Sequence, residues 1–150
     1  MFAEALAVVS TLSAGVLAGE EFVICYGVRS SLTALDPQPA IQLRQGLIRR
    51  LRVLVPSVFA VALLSGIALT LMSGGQVLMV RAAGLAFLFL FITVTMLGTV
   101  PINQAALSWL PEAPPDGWRA AVGRWERLDT IRTWSALAAF GLLALALALR

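Results

Sequence analysis

The fold class this sequence predicts is an all-α integral membrane four-helix bundle, running up and down as two helical hairpins whose loops share one face. Three observations carry it. Hydrophobic residues make up 59% of the 150 positions and the mean hydropathy is strongly positive, too apolar for an ordinary soluble domain. Four windows, about 3–28, 53–73, 80–100 and 132–149, come near or exceed the ~20 apolar residues that a helix needs to cross the hydrocarbon core. The alternation of a membrane β-strand is missing from them, and lipid cannot satisfy the backbone polar groups of any open structure other than a helix. Little remains for a soluble part, so residues 1–150 are read as a single transmembrane domain.

The first window has Glu4 where a secretory signal would carry cationic residues, and it outruns a signal's apolar segment; it is read as a retained span. It contains Ser13, Gly15, Ala18 and Gly19. Gly15 and Gly19 form a small-xxx-small pair that lets another helix backbone approach closely, which places this helix centrally. Leu35-Asp36-Pro37 then reads as a helix N-cap followed by Pro at the first helical position. Helix 2 accordingly starts outside the membrane, where Ile41, Ile48 and Leu51 alternate with Arg44, Arg49 and Arg52 in an amphipathic segment expected at the lipid headgroups, before Pro56 marks entry to the core. Ser73-Gly74-Gly75-Gln76 predicts a tight turn into span 3. Pro111, Pro114 and Pro115 break the second long loop, and Asp116 is placed to cap a helix from about 117 to 149. At 1.5 Å per residue that helix is roughly 50 Å long, so its first half projects from the membrane or covers the mouth of the bundle.

Every basic residue is Arg, and nearly all lie in the two long loops or beside them: Arg29, Arg44, Arg49, Arg50 and Arg52 in the first, Arg119, Arg124, Arg127 and Arg132 in the second. Only Arg81 and Arg150 fall at the opposite end. The positive-inside rule then puts residues 29–52 and 101–131 in the cytoplasm and both termini outside it. A net charge of +3 distributed this way reports topology and not nucleic acid binding. Rich in Ala, Leu and Arg and lacking Lys, the composition points to a bacterial inner membrane. One cysteine, Cys25, and no histidine exclude an internal disulfide, a zinc or nitrogen–sulfur copper site and a His-ligated haem built by this chain alone. No metal and no cofactor is therefore expected. Met72, Met79 and Met96 are read as packing residues.

Polar groups inside the spans are the sharpest functional signal, because a buried carboxylate costs several kcal/mol unless it is paired or protonated. Glu20 and Glu21 lie some nine residues before Arg29, roughly 12 Å inside the loop-bearing end. Being about 100° apart on the helix, the two are expected to face different neighbours. At the same depth stand Asn103, just after span 3, and Arg124, Trp125, Asp129 and Arg132 at the entry to span 4. The offsets of four and three put Trp125, Asp129 and Arg132 on one stripe, too polar to face lipid. Glu20, Glu21, Asp129 and Arg132 are thus candidate catalytic residues. Asn103, Trp125, Arg124 and Tyr26 are candidate substrate contacts, with Trp125 and Tyr26 as walls of a cavity. The competing reading is purely structural: one Glu closes a helix-to-helix salt bridge, Asp129 and Arg132 form a local ion pair, and Trp109 and Trp134 sit in an interfacial aromatic belt.

Pro101-Ile102-Asn103 followed by Trp109, Trp118 and the series Arg124, Trp125, Asp129 and Arg132, ahead of an Ala/Leu-rich last helix, resembles the anthrone oxygenase-like family, also described as domain of unknown function 1772. Gly19-Glu20-Glu21-Phe22 and Leu35-Asp36-Pro37 suit the same resemblance, which covers nearly the whole chain. It implies a small four-helix membrane protein whose characterised relatives oxidise an anthrone to an anthraquinone with dioxygen and no cofactor. Where Asp129 stands, that family commonly has His or Asn, so this sequence departs from it there. On this resemblance the partners are membrane lipid, dioxygen and a lipophilic aromatic molecule. Glu20 or Glu21 is the base, Arg132 and Asn103 donate to developing oxygen charge, and Asp129 orients Arg132. Two other classes stay open on the residues alone: a non-enzymatic subunit or assembly partner of a larger membrane complex, and a small-molecule transporter or binder acting as a homo-oligomer.

Overall fold

The computed structural model describes residues 1–149; Arg150, assigned above to the end opposite the loops, lies outside the described residues. It has four long helices, α1 (Phe2–Thr33), α2 (Pro37–Leu71), α3 (Gly75–Leu107) and α4 (Trp118–Ala148), all long and apolar enough to cross a membrane. The chain is an integral membrane protein with an all-α fold, and no strand occurs among the described residues.

Each helix extends past the window that its hydropathy defines. The segment around Arg44 and Arg49 forms the first turns of one 35-residue helix that continues through Pro56, as expected of a helix 2 that begins before its apolar span. Pro56 supplies no N–H, which leaves the Arg52 carbonyl without its helical donor. Asp36 does occupy the N-cap of α2 with Pro37 behind it, but its side chain makes no capping hydrogen bond. At α4 the cap is Gly117, at φ 79°, and not Asp116. The left-handed backbone needed to turn from the proline loop into the helix is one that only Gly adopts without strain.

Two turns depart from α-helical geometry. Ile24–Val28 in α1 and Thr95–Thr99 in α3 are π-helical, a conformation that inserts one residue into the helix and recurs at functional sites.

The helices form a ring in which α1 packs on α2 and α4, and α3 packs mainly on α4. Between α2 and α3 the contact is looser. Small residues make the close approaches. Ser10, Ala14 and Ala18, four apart on α1, are all buried, as are Ala62, Ala136 and Ala139. Gly15 admits the Phe140 ring, which would lie 3.0 Å from an added Cβ, whereas Gly19 faces open space. The close-packing stripe of α1 therefore runs one residue to the side of the Gly15–Gly19 pair that the sequence singles out. Leu17, Phe59, Leu88, Phe91 and Leu143 fill the core between these small residues, with the Phe59 and Phe91 rings stacked 5.6 Å apart.

At the end away from the long loops, Arg81 is buried and donates to the Leu69 carbonyl at 3.0 Å and to the Ser73 hydroxyl. Together with the Ser73 hydroxyl it thereby satisfies a carbonyl that the end of α2 leaves without a backbone donor. At the loop-bearing end Gln45 donates to the Ala106 and Trp109 carbonyls, both at 2.9 Å, pinning the exit of α3 to α2.

Because Ala139 has no exposed surface, Ala139→Leu should overpack the interior and lower stability by about 1–3 kcal/mol, read as a drop in the thermal midpoint of the detergent-solubilised protein. Leu64→Ala, at a site 67% exposed, should leave the midpoint nearly unchanged. Equal shifts would mean that the bundle does not close around Ala139.

Candidate functional site

Above the apolar core, at the loop-bearing end, the four helices enclose a cavity of about 380 Å³, within the roughly 300–1,000 Å³ of small-molecule sites. Its floor is ionic. Arg132 of α4 hydrogen-bonds Glu21 of α1 and lies 3.9 Å from Asp129, 3.4 Å from the Thr99 hydroxyl and 4.9 Å from the centroid of the Phe91 ring. Glu21, Asp129 and Arg132 are 2%, 1% and 6% exposed. Charges so far from water persist only when paired, so this contact ties α1, α3 and α4 together. Thr133 adds a bond from its hydroxyl to the Asp129 carbonyl at 2.9 Å.

A second layer lies closer to the loops. Arg29 donates to the Thr130 hydroxyl at 2.9 Å and to Cys25 Sγ at 3.2 Å, and it approaches Asp129 at 3.8 Å and Glu126 at 3.7 Å. Arg44 of α2 is 8% exposed, and its guanidinium lies 4.8 Å above the Trp125 ring. The remaining wall is mostly apolar, from Ile24, Val28, Leu47, Ile48, Val55 and Val100 among others, with Arg52, Thr95 and Gln104 as its polar members.

Six of the eight candidate residues line this one cavity: Glu20, Glu21, Asn103, Trp125, Asp129 and Arg132. Glu20 and Glu21 share it rather than facing different helices, because α1 presents two adjacent stripes to it, Glu20/Ile24/Val28 and Glu21/Arg29/Leu32. Tyr26 does not line it. It is 51% exposed and packs on Phe22, ring centroids 4.9 Å apart, since residues four apart on the next stripe of α1 face outward. Arg124 also points away and is exposed, one helical step before Trp125. Arg29 and Arg44 were assigned by charge to membrane topology alone, and the cavity claims both. For Arg44 the signal lay in its spacing: Ile41, Arg44 and Gln45 form one buried stripe.

Buried polar atoms that lack a hydrogen-bond partner concentrate here. Glu20 Oε2, Glu21 Oε2, Asn103 Oδ1, Trp125 Nε1, Asp129 Oδ2 and Arg132 Nε are all in that state, and all belong to residues lining the cavity. Unpaired groups at this density are costly in an empty site and useful in an occupied one. Among the described residues no group of three or more acids and cysteines is arranged to hold a metal ion.

The family profile described as Anthrone oxygenase matches residues 45–142, well over half of the 150-residue chain. The chain belongs to the anthrone oxygenase family. No curated protein and no solved structure matches it. The segment shared with the anthrone oxygenase family holds Asn103, Trp125, Asp129 and Arg132, while Glu20, Glu21 and Arg29 reach the cavity from α1, outside the matched residues.

Arg132→Met should strand Glu21 as a buried charge without its cation and cost roughly 3–5 kcal/mol. The double change Glu21→Leu with Arg132→Met should recover most of that loss, since Asp129 keeps Arg29. Thermal midpoints of the two variants in one detergent check this; a double variant no more stable than the single one would show that the pair does not hold the helices together.

Proposed function

We propose that the protein is a membrane oxygenase acting with dioxygen on a flat, lipophilic phenol of the anthrone or hydroquinone type, with its own side chains as base and oxyanion site. One observation carries this reading: unpaired acceptors and donors converge on a cavity whose other walls are mostly apolar, in a chain of this family. Such a cavity suits a mostly hydrocarbon substrate with one or two polar positions.

In an anthrone the methylene carbon carries the acidic hydrogen. Glu21 is committed to Arg132, so the proton passes to Glu20, whose Oε2 is free. A carboxylate taken out of water is a more effective base than a hydrated one. The resulting aryloxide spreads its charge onto the ring oxygen, where Arg132 Nε–H and the Asn103 amide can donate to it. This electron-rich anion passes one electron to dioxygen, and the radical pair joins as a hydroperoxide at the same carbon. Loss of the second hydrogen from that carbon then breaks the O–O bond. One oxygen stays as the new carbonyl, the other leaves as water with the proton that Glu20 returns, and two hydrogens and one dioxygen are consumed. Asp129 orients Arg132, and Trp125 lies against the aromatic face. The arginine-rich loop end would face the cytoplasm, as the positive-inside rule has it, leaving the termini outside.

Purified protein in detergent, given an anthrone, should consume dioxygen and form the anthraquinone mole for mole. Glu20→Gln should lower turnover about 10²–10⁴-fold, the usual contribution of a positioned base, whereas Tyr26→Phe and Arg124→Ala, both outside the cavity, should retain activity. No oxygen uptake with any anthrone or hydroquinone would refute the reading.

The pH profile supplies a separate check. A base must be ionised to act, so turnover should rise with pH and fall on acidification as Glu20 gains a proton. Glu20→Gln should abolish that acid limb; a limb unchanged in the variant would assign the base elsewhere.

A further inference from the structure

We infer that the molecule occupying the cavity carries an anionic oxygen group, a carboxylate or its equivalent, which lies against Arg44; this names the substrate class of the site proposed above and rests on that reading.

The argument begins with charge. Three acids line the cavity, Glu20, Glu21 and Asp129, with four arginines; Arg52 is exposed, and of the other three two are engaged with acids: Arg132 with Glu21 and Asp129, Arg29 with Asp129 and Glu126. Arg44 is left over. It is as deeply enclosed as they are, at 8% exposure, yet makes no hydrogen bond and no ion pair among the described residues. Its closest specific contact is the Trp125 ring, 4.8 Å below the guanidinium, which fixes the orientation of a cation but satisfies none of its N–H groups. Those groups face open volume on both sides, the main cavity and a second void of about 220 Å³ under Trp118 and Arg119. A buried guanidinium needs a counter-anion or hydrogen-bond acceptors; Glu126 and Asp129 act on Arg44 only at longer range, both being ion-paired with Arg29, and no acceptor among the described residues bonds its N–H groups.

A second donor stands beside it. Trp125 Nε1 is buried without an acceptor, so an anionic oxygen at Arg44 would find an indole N–H on the same wall. The planar guanidinium suits a carboxylate in particular, since it can form two parallel hydrogen bonds with one.

Position then restricts the ligand further. Trp125 precedes Arg132 by seven residues on α4, so the Arg44–Trp125 site lies ~10 Å nearer the loops than the Arg132–Glu21 floor. Apolar side chains of Leu47, Ile48, Leu51 and Val100 border the space. An elongated lipophilic body with its reacting carbon near Glu20 and its acidic group at the far edge fits both poles. An aromatic acid and a fatty acid share that chemistry, and the test separates them.

The experiment measures equilibrium binding to the detergent-purified full chain of three unreactive probes: anthracene-2-carboxylate, anthracene-2-carboxamide and laurate. The wild type should bind the anthracene carboxylate at least tenfold more tightly than the carboxamide. Arg44→Gln should remove that preference while keeping carboxamide affinity, which also shows that the variant is folded, and Arg44→Lys should restore part of it. Equal affinity of the wild type for the two anthracene probes, water then serving as the partner of Arg44, overturns the inference, as does a preference that survives in Arg44→Gln. An Arg44-dependent preference for laurate over the anthracene acid upholds the anion site and assigns the body to an acyl chain. The oxygenase reading fails independently: binding with the expected preference but no oxygen uptake removes only that reading, and uptake without the preference removes only this one.

Discussion

The buried ion pair between Glu21 and Arg132 is the constraint around which the rest of the molecule is arranged. A charge this deep in a membrane helix is tolerated only with its partner, so α1 and α4 are held at one register. Below the pair the bundle closes in an ordinary way, with Ala, Ser and Gly letting backbones approach and Phe and Leu filling between them. Above it the helices cannot close in the same way. Arg29, Asp129 and Glu126 extend the network toward the loops, and an apolar plug over it would leave these groups without satisfaction. The cavity is thus the consequence of an ionic layer that cannot be covered by hydrocarbon at no cost.

The two π-helical turns belong to the same arrangement. On an ideal α-helix, residues eight apart differ by about 80° in direction, and one inserted residue reduces that to about 20°. In α1 the π turn falls between Glu21 and Arg29, and in α3 it begins at Thr95 and ends before Asn103. Both pairs are eight apart, and all four residues line the cavity. Without the insertion Arg29 would turn away from Asp129, and Asn103 away from the space beside Thr95. At the second turn Gly98 makes the packing feasible: a Cβ there would come within 2.9 Å of Leu128.

What could be read from the sequence follows from which costs are large. Crossing lipid requires long apolar helices, so the four spans and the fold class were legible. Carboxylates and an arginine within those spans need partners, so Glu20, Glu21, Asn103, Trp125, Asp129 and Arg132 could be gathered at one depth before any coordinates. Tyr26 was misplaced because depth was used without direction; its four-residue spacing from Phe22 sets both on the lipid side of Cys25. Arg44 was hidden by a different rule: an arginine near a loop is so commonly a topology signal that its place on the buried Ile41–Gln45 stripe was outweighed. The π turns leave no composition signature at all, and with them the inward direction of Arg29 was out of reach.

The boundary of the family match bears on which of these features belong together. It begins at residue 45 and so omits α1, yet the matched part is not electrostatically self-sufficient. Within it, among the described residues, the one acid paired with Arg132 is Asp129, at 3.9 Å and on its own helix, a separation at which a buried pair regains little of what each charge loses on leaving water. Glu21 makes the direct hydrogen bond. Arg29, from the same helix, then balances Asp129 and Glu126 in turn. Thus α1 contributes a carboxylate to the cation and a cation to the carboxylates, and the polar face of α4 is stable inside the bundle only because both arrive together.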